Sequence, residues 1–371
     1  MQSCKRWSEV FNKVLKEGDG AMKAAVWYGK DDIRIEEFPE PAVGQGQVKL
    51  KIKACGICGS DIHEFRSGPF IIPARPHPLT GRVGGPVILG HEFAGEVVEI
   101  GEGVTKVAVG DRVTVNPLIY CGECHFCKKG NHLMCGKLAT VGFAWDGAFA
   151  EYGVFPEFTM VKLPDSVSYE MGACVEPLAV AVHAVNRSGM KIGDNVAIIG
   201  AGPIGLLVQQ ACKAAGASQV FVSEPMKARM ETAHKMGANA VFDPTEVDVG
   251  KEVAKCTDGL RADIAFDCVG IKQTFDTCVK VTGRRARVCV VGLALKPIEV
   301  AFMKFWGHEK ELTFSQGYDG EFPTAVSYLA DGRVKIDDYV TKSIALDEFV
   351  DGGLNELIEH PDENVKILVK P

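Results

Sequence analysis

The sequence has no excess of positive charge and no long apolar run. Lys and Arg number 41 against 48 for Asp and Glu, which gives a formal net charge of −7. Proteins that bind nucleic acids need clustered cations to contact phosphates, so this balance argues against that class. The most apolar stretch, residues 196–208, is interrupted by three glycines and a proline and is shorter than the roughly 20 residues that cross a bilayer. We therefore expect neither a nucleic-acid partner nor a membrane partner.

The first twenty residues also lack the apolar segment of a secretory signal, although the chain is rich in cysteine. Its 13 cysteines are an odd number and cannot all pair in disulfides. A chain of 371 residues is also long enough to build a core without such cross-links. We expect a cytoplasmic protein with reduced thiols, of which some bind metal and the rest are buried as small apolar side chains.

Two patterns divide the chain into regions. Over residues 22–175, short predicted strands alternate with Gly- and Pro-containing turns, which indicates a β-rich domain. Over residues 176–318, strands alternate with helices, which predicts an α/β domain whose parallel sheet is covered on both faces. Residues 319–371 return to a mixed pattern. The predicted fold class is therefore α/β plus a β-rich domain, and residues 64–90 form a long proline-rich loop.

Residues 1–21 form a separate N-terminal extension. Apolar side chains recur at helical spacing between Trp7 and Leu15, and the pattern ends at Gly18-Asp19-Gly20. Two interpretations stay open: the extension is a docking helix, or it lies upstream of a natural start at Met22.

Four cysteines follow one another in the segment CGECHFCKKGNHLMC. They have the spacing C-x2-C-x2-C-x7-C and are Cys121, Cys124, Cys127 and Cys135. One folded loop can thus supply four thiolates to a tetrahedral Zn²⁺, which would be structural because no position remains open. An iron–sulfur cluster is the alternative, but the usual bacterial run has a shorter last gap followed by proline, whereas Gly136 follows here.

A glycine motif, G-x-G-x-x-G, follows a predicted buried strand and opens a predicted helix. It consists of Gly200, Gly202, Pro203, Ile204 and Gly205 with Ala201. The first glycine makes the turn, the second lets the backbone approach a pyrophosphate, and the third lets helix and strand pack closely. The helix N-terminus offers free N–H groups to the phosphates.

Glu224 ends the next predicted strand, where a carboxylate can accept from the ribose hydroxyls of NAD and repel the 2′-phosphate of NADP. A solvated loop acid is the alternative, and Arg229 could flank the same ribose. Two later strands end near Cys268 and Val269 and near Val291 and Leu293. These ends are expected to face the cofactor, because ligands bind at the carboxyl ends of parallel strands. The predicted cofactor is NAD.

A second set of metal-binding residue types comes from three separated segments. The set is Cys58, His91, Glu92 and Glu176. Mixed ligands from distant segments are typical of catalytic zinc, which keeps a position for water or substrate. Spacing alone leaves alternatives open: His91 could be structural, Glu176 could be a helix-start acid, and Cys174 competes with Glu176. Cys55 fits a buried strand residue.

The order of these motifs from residue 22 to 371 resembles that of the zinc-dependent medium-chain alcohol and polyol dehydrogenases. The resemblance implies a Rossmann domain with a doubly wound parallel sheet at 176–318 and a GroES-like catalytic domain formed by 22–175 and 319–371. It also implies two zinc ions per subunit and a homodimer or homotetramer. By resemblance Cys58, His91 and Glu176 hold the catalytic zinc, with Glu92 as a nearby or exchanging ligand.

Two further segments resemble the 2,3-butanediol branch of that family: the proline-rich segment that begins at Gly68, and FSQGYDGEFP at 314–323. The resemblance implies hydride transfer between NAD and a small secondary alcohol or vicinal diol, most specifically 2,3-butanediol or acetoin. Ser60 would take the alcohol proton and His63 would pass it to solvent, unless His63 is a plain surface histidine. Phe70 and Ile71 are expected to line an apolar pocket. A sorbitol- or threonine-type dehydrogenase, or a non-catalytic NAD-binding zinc protein, is the alternative.

Overall fold

The computed structural model describes residues 17–371, with side chains from residue 20 onward. The helical pattern predicted near the N-terminus lies outside these described residues. Within them, no helix is both long and apolar enough to span a bilayer. The chain divides into two compact units: unit 1 contains the described residues up to Glu176 together with Lys342–Pro371, and unit 2 is Pro177–Thr341.

The elements follow in chain order. The strands are β1 Glu17–Gly29, β2 Asp32–Pro41, β3 Gln47–Gly56, β4 Val87–Ile88, β5 Glu92–Ile100, β6 Arg112–Val115, β7 Leu118–Ile119, β8 Ala139–Thr140, β9 Tyr152–Pro156, β10 Met160–Lys162, β11 Asn195–Ile199, β12 Gln219–Ser223, β13 Ala240–Phe242, β14 Ala262–Asp267, β15 Thr282–Val290, β16 Glu311–Phe314, β17 Val340–Ala345 and β18 Lys366–Lys370. The helices are α1 Gly59–Ser67, α2 His125–Lys128, α3 Tyr169–Ala173, α4 Val175–Ser188, α5 Pro203–Ala214, α6 Lys227–Lys235, α7 Val249–Cys256, α8 Lys272–Val281, α9 Phe302–Trp306, α10 Phe322–Ala330 and α11 Glu356–Glu359.

Unit 1 is built around a seven-stranded sheet of order β10-β6-β5-β3-β18-β17, with β9 also paired to β3. Strand β3 shows why the sheet forms, because Val48, Leu50 and Ile52 alternate into the core while Lys51 faces water. Cys55, near the end of β3, is fully buried, which confirms its prediction as a buried strand residue. The last strand, β18, pairs antiparallel with the end of β3. The chain end is thereby placed beside the segment that leads to Cys58.

Three local expectations need correction. Helix α1 covers 59–67, so the loop predicted for 64–90 begins only after Ser67. The sequence of residues 170–188 predicts a single helix, but the structure has two, α3 and α4, because the chain turns at Cys174. The N-terminal pattern was expected to end at residues 18–20, but these residues lie within β1, which begins at Glu17. The pairing of β1 with β2 shifts its register there.

Unit 2 has a six-stranded parallel sheet of order β13-β12-β11-β14-β15-β16. Its central strands are runs of Val, Ile, Ala and Phe with almost no exposure, as expected of parallel strands covered on both faces. The order reverses direction at β11, which is the doubly wound topology that the family resemblance implied; the alternating pattern by itself predicted only a parallel sheet covered on both faces. Helix α5 leaves β11 at the glycine motif, and Pro203 occupies its first turn.

Residues 319–341 lie in unit 2, whereas the sequence expectation put them in the second part of the β-rich domain. Glu321 explains the difference: it is 9% exposed, and its Oε1 accepts hydrogen bonds from His183 Nδ1 at 2.9 Å and Asn186 Nδ2 at 3.3 Å. His183 and Asn186 lie on α4, so a buried carboxylate ties the segment to this helix. The expected first boundary, at 175/176, is one residue from the observed one.

Removal of the Glu321 carboxylate should destabilise unit 2. Glu321→Ala leaves His183 and Asn186 without their buried acceptor, which costs about 1–3 kcal/mol. We expect a lower thermal midpoint of unfolding at pH 7, whereas Glu246→Ala, at an exposed position of the same unit, should leave the midpoint unchanged.

The pH dependence of this deficit follows from the pKa of Glu321. Burial raises that pKa, but the hydrogen bonds from His183 and from the Asp319 N–H outweigh burial and hold it below its ordinary value of 4.5. The contribution to stability is therefore present above pH 4.5 and is lost as the pH falls through the lowered pKa. The difference in thermal midpoint between wild type and Glu321→Ala should therefore shrink as the pH falls through this range. A difference that stays constant below pH 4.5 would contradict this explanation.

Candidate functional site

The four cysteines between 121 and 135 converge on one point of unit 1. Their sulfur atoms all lie within 4.8 Å of one another, and Cys121 Sγ is 3.9 Å from Cys127 Sγ. A tetrahedron with Zn–S bonds of about 2.3 Å has sulfur–sulfur edges of about 3.8 Å. The four thiols therefore stand at the spacing that tetrahedral zinc requires.

Backbone N–H groups point at several of these sulfurs and favour the thiolate form of Cys124. Cys121 Sγ accepts from Cys124 N at 3.4 Å, and Cys124 Sγ accepts from Cys127 N at 3.5 Å. The bond from Cys127 N lowers the pKa of Cys124 to about 6. Such a prearranged set of four sulfur donors fits a closed zinc site, as the sequence predicted.

A second cluster brings together Cys58, His91 and Glu92, whose ligand atoms all lie within 4.8 Å of one another. Cys58 is the N-cap of α1, and His91 immediately precedes β5, which begins at Glu92. His91 and Glu92 are buried, and Cys58 is partly exposed. A thiol, an imidazole and a carboxylate from segments far apart in sequence form a donor set of the catalytic-zinc kind.

Asp61 supports this cluster from the first turn of α1. It is fully buried, and its Oδ2 accepts from the Cys58 backbone N at 2.9 Å. Its Oδ1 lies 3.7 Å from His91 Nδ1, and neither of these two atoms has a hydrogen-bond partner within the described chain. Burial lowers the pKa of His91, but the charges of Asp61, Cys58 and Glu176 outweigh burial and hold it well above its ordinary value. This concentration of acidic and thiol groups around the imidazole suits a bound cation.

Glu92 also belongs to a buried ion pair with Lys366 of β18. The Lys366 ammonium lies 3.0 Å from Glu92 Oε1 and 2.6 Å from Oε2, and both side chains are 2% exposed. Lys366 Nζ also donates to the Ile57 carbonyl at 2.9 Å. The same lysine therefore holds Glu92 and the residue that precedes Cys58.

The other residues predicted for this site lie at different distances from it. Glu176 is buried at the start of α4, outside the three-residue cluster, but close enough for its charge to raise the pKa of His91. Cys174 is buried and lies outside the cluster too, and burial raises its pKa to about 12. Ser60 Oγ is 3.4 Å from His91 Nε2, and His63 is exposed one turn further along α1.

The glycine motif of unit 2 has the geometry of a dinucleotide loop. Gly200 has a φ of +99°, which favours glycine, and a Cβ there would collide with the Val269 side chain. A Cβ at Gly205 would collide with the Gly200 carbonyl oxygen. Gly202 is the N-cap of α5. A Cβ at this position would have room, because the nearest atom, Arg229 Nη1, would be 3.8 Å away. Pro203 and Ile204 are partly exposed in the first turn of α5.

Glu224 follows β12 and is bonded to this loop. Its Oε2 accepts from the Ala201 backbone N at 2.7 Å, and its Oε1 accepts from Met226 N at 3.1 Å. Glu224 is therefore not a solvated loop acid, which was the alternative considered for it. The side chain connects the end of β12 to the turn after β11.

The segments that follow β14 and β15 meet at the same edge of the sheet. A Cβ at Gly292 would collide with backbone atoms of Val269 and Gly270, so these two turns touch through their backbones. Cys268 and Val291 are partly exposed there, and Val269 and Leu293 are exposed. The structure thus brings the predicted cofactor-facing residues together at the carboxyl edge of the parallel strands.

Comparisons with known proteins match both units. Residues 44–165 match the family model of the alcohol dehydrogenase GroES-like domain, and residues 203–331 match that of zinc-binding dehydrogenases. The chain is 42% identical to an (R,R)-butanediol dehydrogenase of Bacillus subtilis over 353 residues, which cover 94% of this chain and 100% of that protein. It is 33% identical to a sorbitol dehydrogenase of the same organism, over 94% of this chain and 97% of that one.

The chain belongs to the zinc-dependent medium-chain alcohol and polyol dehydrogenases. The crystal structure of 2R,3R-butanediol dehydrogenase from Bacillus subtilis agrees with this assignment, with a TM-score of 0.89 at 41% identity over 94% of this chain and 99% of that one. The predicted family and fold class are thereby confirmed: the GroES-like domain lies in unit 1 and the Rossmann domain in unit 2.

Sequence reasoning missed two residues that contact the cluster of Cys58, His91 and Glu92, namely Asp61 and Lys366. Asp61 follows Cys58 by three positions, so a capping-box pattern at the start of a helix could have indicated it. Nothing near Lys366 indicates that it reaches Glu92, because the two are brought together only by the pairing of β18 with β3. In this chain the surroundings of Glu92 thus depend on the last strand.

Two glycine substitutions should separate folding from cofactor binding. Gly205→Ala should destabilise unit 2, because its methyl group would collide with the backbone of Gly200. Gly202→Ala has room for a methyl group, so the thermal midpoint should stay near the wild-type value, while dinucleotide affinity falls because the pyrophosphate needs close backbone approach. Thermal unfolding and NADH fluorescence titration measure the two effects. Equal losses of affinity and stability in Gly202→Ala would contradict the separation.

Proposed function

We propose that this chain is an NAD-dependent zinc dehydrogenase that interconverts 2,3-butanediol and acetoin. The observation that carries the proposal is the convergence of Cys58, His91 and Glu92, with Ser60 beside His91, in a chain 42% identical to an (R,R)-butanediol dehydrogenase. Identities of 33–34% to sorbitol dehydrogenases make a sorbitol-type activity the second candidate.

Cys58, His91 and Glu176 are the proposed ligands of a catalytic zinc, with Glu92 as a nearby or exchanging ligand. Glu92 already shares its charge with Lys366, which supports its role as the nearby group. Zinc at this position supplies a Lewis acid that stabilises the alkoxide of an alcohol substrate. The four-cysteine site is proposed to hold a second, structural zinc.

Ser60 and His63 are proposed to carry the alcohol proton away. They lie one turn apart on α1, so both side chains project from the same face of that helix. Ser60 Oγ is close to the metal cluster, while His63 is exposed to water. A proton taken by Ser60 can therefore reach solvent through His63.

Unit 2 is proposed to bind NAD through residues Gly200 to Gly205, which would lie against the pyrophosphate. Glu224, with Arg229 nearby, would select the unphosphorylated ribose. The turns that contain Cys268, Val269, Val291 and Leu293 would contact the remainder of the cofactor, because they share the carboxyl edge of the sheet. When bound there, NAD would supply the hydride acceptor for oxidation of the alcohol.

A homodimer or homotetramer is proposed to form through the free edge of the unit 2 sheet. Strand β16 is the edge strand, and exposed apolar side chains flank it: Phe302, Met303, Trp306 and Phe314. An exposed edge with such residues is a typical pairing surface for a second copy of the same chain. The cytoplasmic, reducing location remains a prediction from the cysteine pattern.

The decisive measurement is the initial rate with NAD or NADP on separate butanediol stereoisomers, acetoin, threonine and sorbitol. We expect butanediol and acetoin to exceed the others in kcat/KM, with a strong preference for NAD. Ser60→Ala should lower kcat by about 10²-fold or more, while Ser67→Ala, at the exposed end of the same helix, should not. A tenfold advantage for sorbitol or threonine would disprove the substrate assignment, and comparable use of NADP would disprove the cofactor assignment.

Metal content should show two separate zinc sites in each chain. Cys58→Ser should lose the catalytic zinc and Cys127→Ser the structural one, since each removes a thiolate from one cluster only. Cys256→Ser, at an exposed position outside both clusters, should keep the wild-type content. Elemental analysis checks this, and a coloured protein that contains iron would contradict it.

A further inference from the structure

The proline-rich loop, residues 68–86, has no helix or strand but is internally hydrogen-bonded. His77 N donates to the Arg82 carbonyl at 2.9 Å, Gly81 N to the His77 carbonyl at 2.8 Å, and Gly84 N to the Pro73 carbonyl at 2.8 Å. The loop therefore has a defined turn of its own, although it is long for a connection between elements. Long ordered loops of this kind usually have a function.

Glu64, on α1, holds the start of the loop. Its side chain is fully buried and accepts hydrogen bonds from three successive backbone N–H groups: Phe70 at 2.9 Å, Ile71, and Ile72 at 3.1 Å. Within the described chain no cation pairs with this carboxylate. A buried charge is costly unless it is hydrogen-bonded, so its presence is explained by the backbone that it holds.

The backbone held by Glu64 presents apolar side chains outward. Phe70 is 56% exposed and Ile71 is 41% exposed, whereas Ile72 is in the core. The Phe70 ring lies 6.5 Å from the ring of His63, centroid to centroid. Two exposed apolar residues on a fixed backbone, beside the proposed proton-relay helix, form a surface suited to the methyl groups of a small diol.

His77 joins the middle of the loop to the four-cysteine lobe, residues 121–138. Its Nδ1 accepts from Leu79 N at 3.2 Å, so the neutral ring carries its proton on Nε2, which donates to the Leu138 carbonyl at 3.0 Å. Burial lowers the pKa of His77 and thus keeps the ring neutral, against the opposing effect of its bond to Leu138. One side chain therefore closes a turn in the loop and bonds to the lobe.

Packing and charge add to this connection. Leu79 packs both against the main core of unit 1 and against the cysteine cluster, against which Leu138 also packs. Arg82 pairs with Asp146 at 2.8 Å and also donates to the Pro86 carbonyl at 2.6 Å. The loop is thus held at its start, its middle and its end by different parts of unit 1.

We propose that Glu64 and His77 are positioning residues that hold the proline-rich loop as a specificity wall for the substrate, and that His77 makes this wall depend on the four-cysteine lobe. The proposal rests on the proposed function for the identity of the substrate. The lobe then has a role beyond stability, because loss of its fold releases the loop that carries Phe70 and Ile71.

Two variants of His77 each remove one of its two hydrogen bonds. His77→Asn keeps an acceptor for Leu79 N but cannot reach Leu138, whereas His77→Gln keeps a donor for Leu138 but loses the acceptor. His360→Asn, an exposed histidine of the same unit, is the matched control. Hydrogen exchange of peptides from 68–86, followed by mass spectrometry, and steady-state kinetics are measured for each variant.

We expect faster hydrogen exchange in the loop for His77→Asn. The KM for butanediol should rise about fivefold or more while kcat changes less than about twofold, because the loop contributes to substrate binding rather than to chemistry.

Glu64→Gln should likewise raise KM with little change in kcat, and hydrogen exchange should become faster at residues 70–72. Glu102→Gln, at an exposed position, should give neither effect. Cys127→Ser alone should speed hydrogen exchange in the loop relative to wild type. The same substitution added to His77→Asn should speed it little further, because the bond from the loop to the lobe is already lost. Peptides from β11 report whether unit 2 remains folded.

Unchanged loop exchange and unchanged KM in both Glu64→Gln and His77→Asn would overturn the proposal. An equal fall of kcat in these variants would also overturn it, because it would indicate a catalytic rather than a positioning role. Unchanged loop exchange in Cys127→Ser would overturn the dependence on the lobe. Exchange needs no substrate, so these results stand even if wild-type protein prefers another alcohol, which would refute only the substrate assignment.

Discussion

The cluster of Cys58, His91 and Glu92 in unit 1 depends on the buried ion pair between Glu92 and Lys366. Lys366 reaches from the last strand to both oxygens of Glu92 and to the carbonyl of Ile57, which precedes Cys58. Desolvation of two charges is costly, and only complete hydrogen bonding compensates for it. Loss of one partner would leave a buried charge and cost about 3–5 kcal/mol. Lys366 of the last strand therefore adds to the β3–β5 pairing that holds together the segments carrying Cys58 and His91.

Buried carboxylates organise the rest of the site in the same manner. Asp61 bonds to the backbone N of Cys58 and faces His91, and Glu64 bonds to the start of the proline-rich loop. Both lie on α1 and both are fully buried. This helix thus orients the cluster of Cys58, His91 and Glu92 through Asp61 and the loop through Glu64, which explains why two acids lie on its buried face beside Phe65.

The two metal-binding clusters arise in different ways. The four-cysteine lobe takes all its candidate ligands from one short segment, whose backbone N–H groups also donate to its sulfurs, so it is formed mainly by local structure. The cluster of Cys58, His91 and Glu92 is formed by pairing of β3, β5 and β18 across the whole length of the chain. A local site suits a structural role, whereas a site assembled from distant strands can leave room for substrate.

The sequence alone determined the family, the two domain types, the four-cysteine site and the glycine motif, because each depends on residue types at fixed short spacings. Tertiary structure decided what such spacings cannot express. Helix α1 was predicted in part as a loop, since Asp61 and Glu64 occupy the buried face where apolar periodicity is expected. In unit 2 the bond from His183 to Glu321 ties the segment 319–341 to α4, and in unit 1 Lys366 meets Glu92 because β18 returns to β3. These contacts join positions far apart in sequence, and only the folded chain brings them within hydrogen-bond distance.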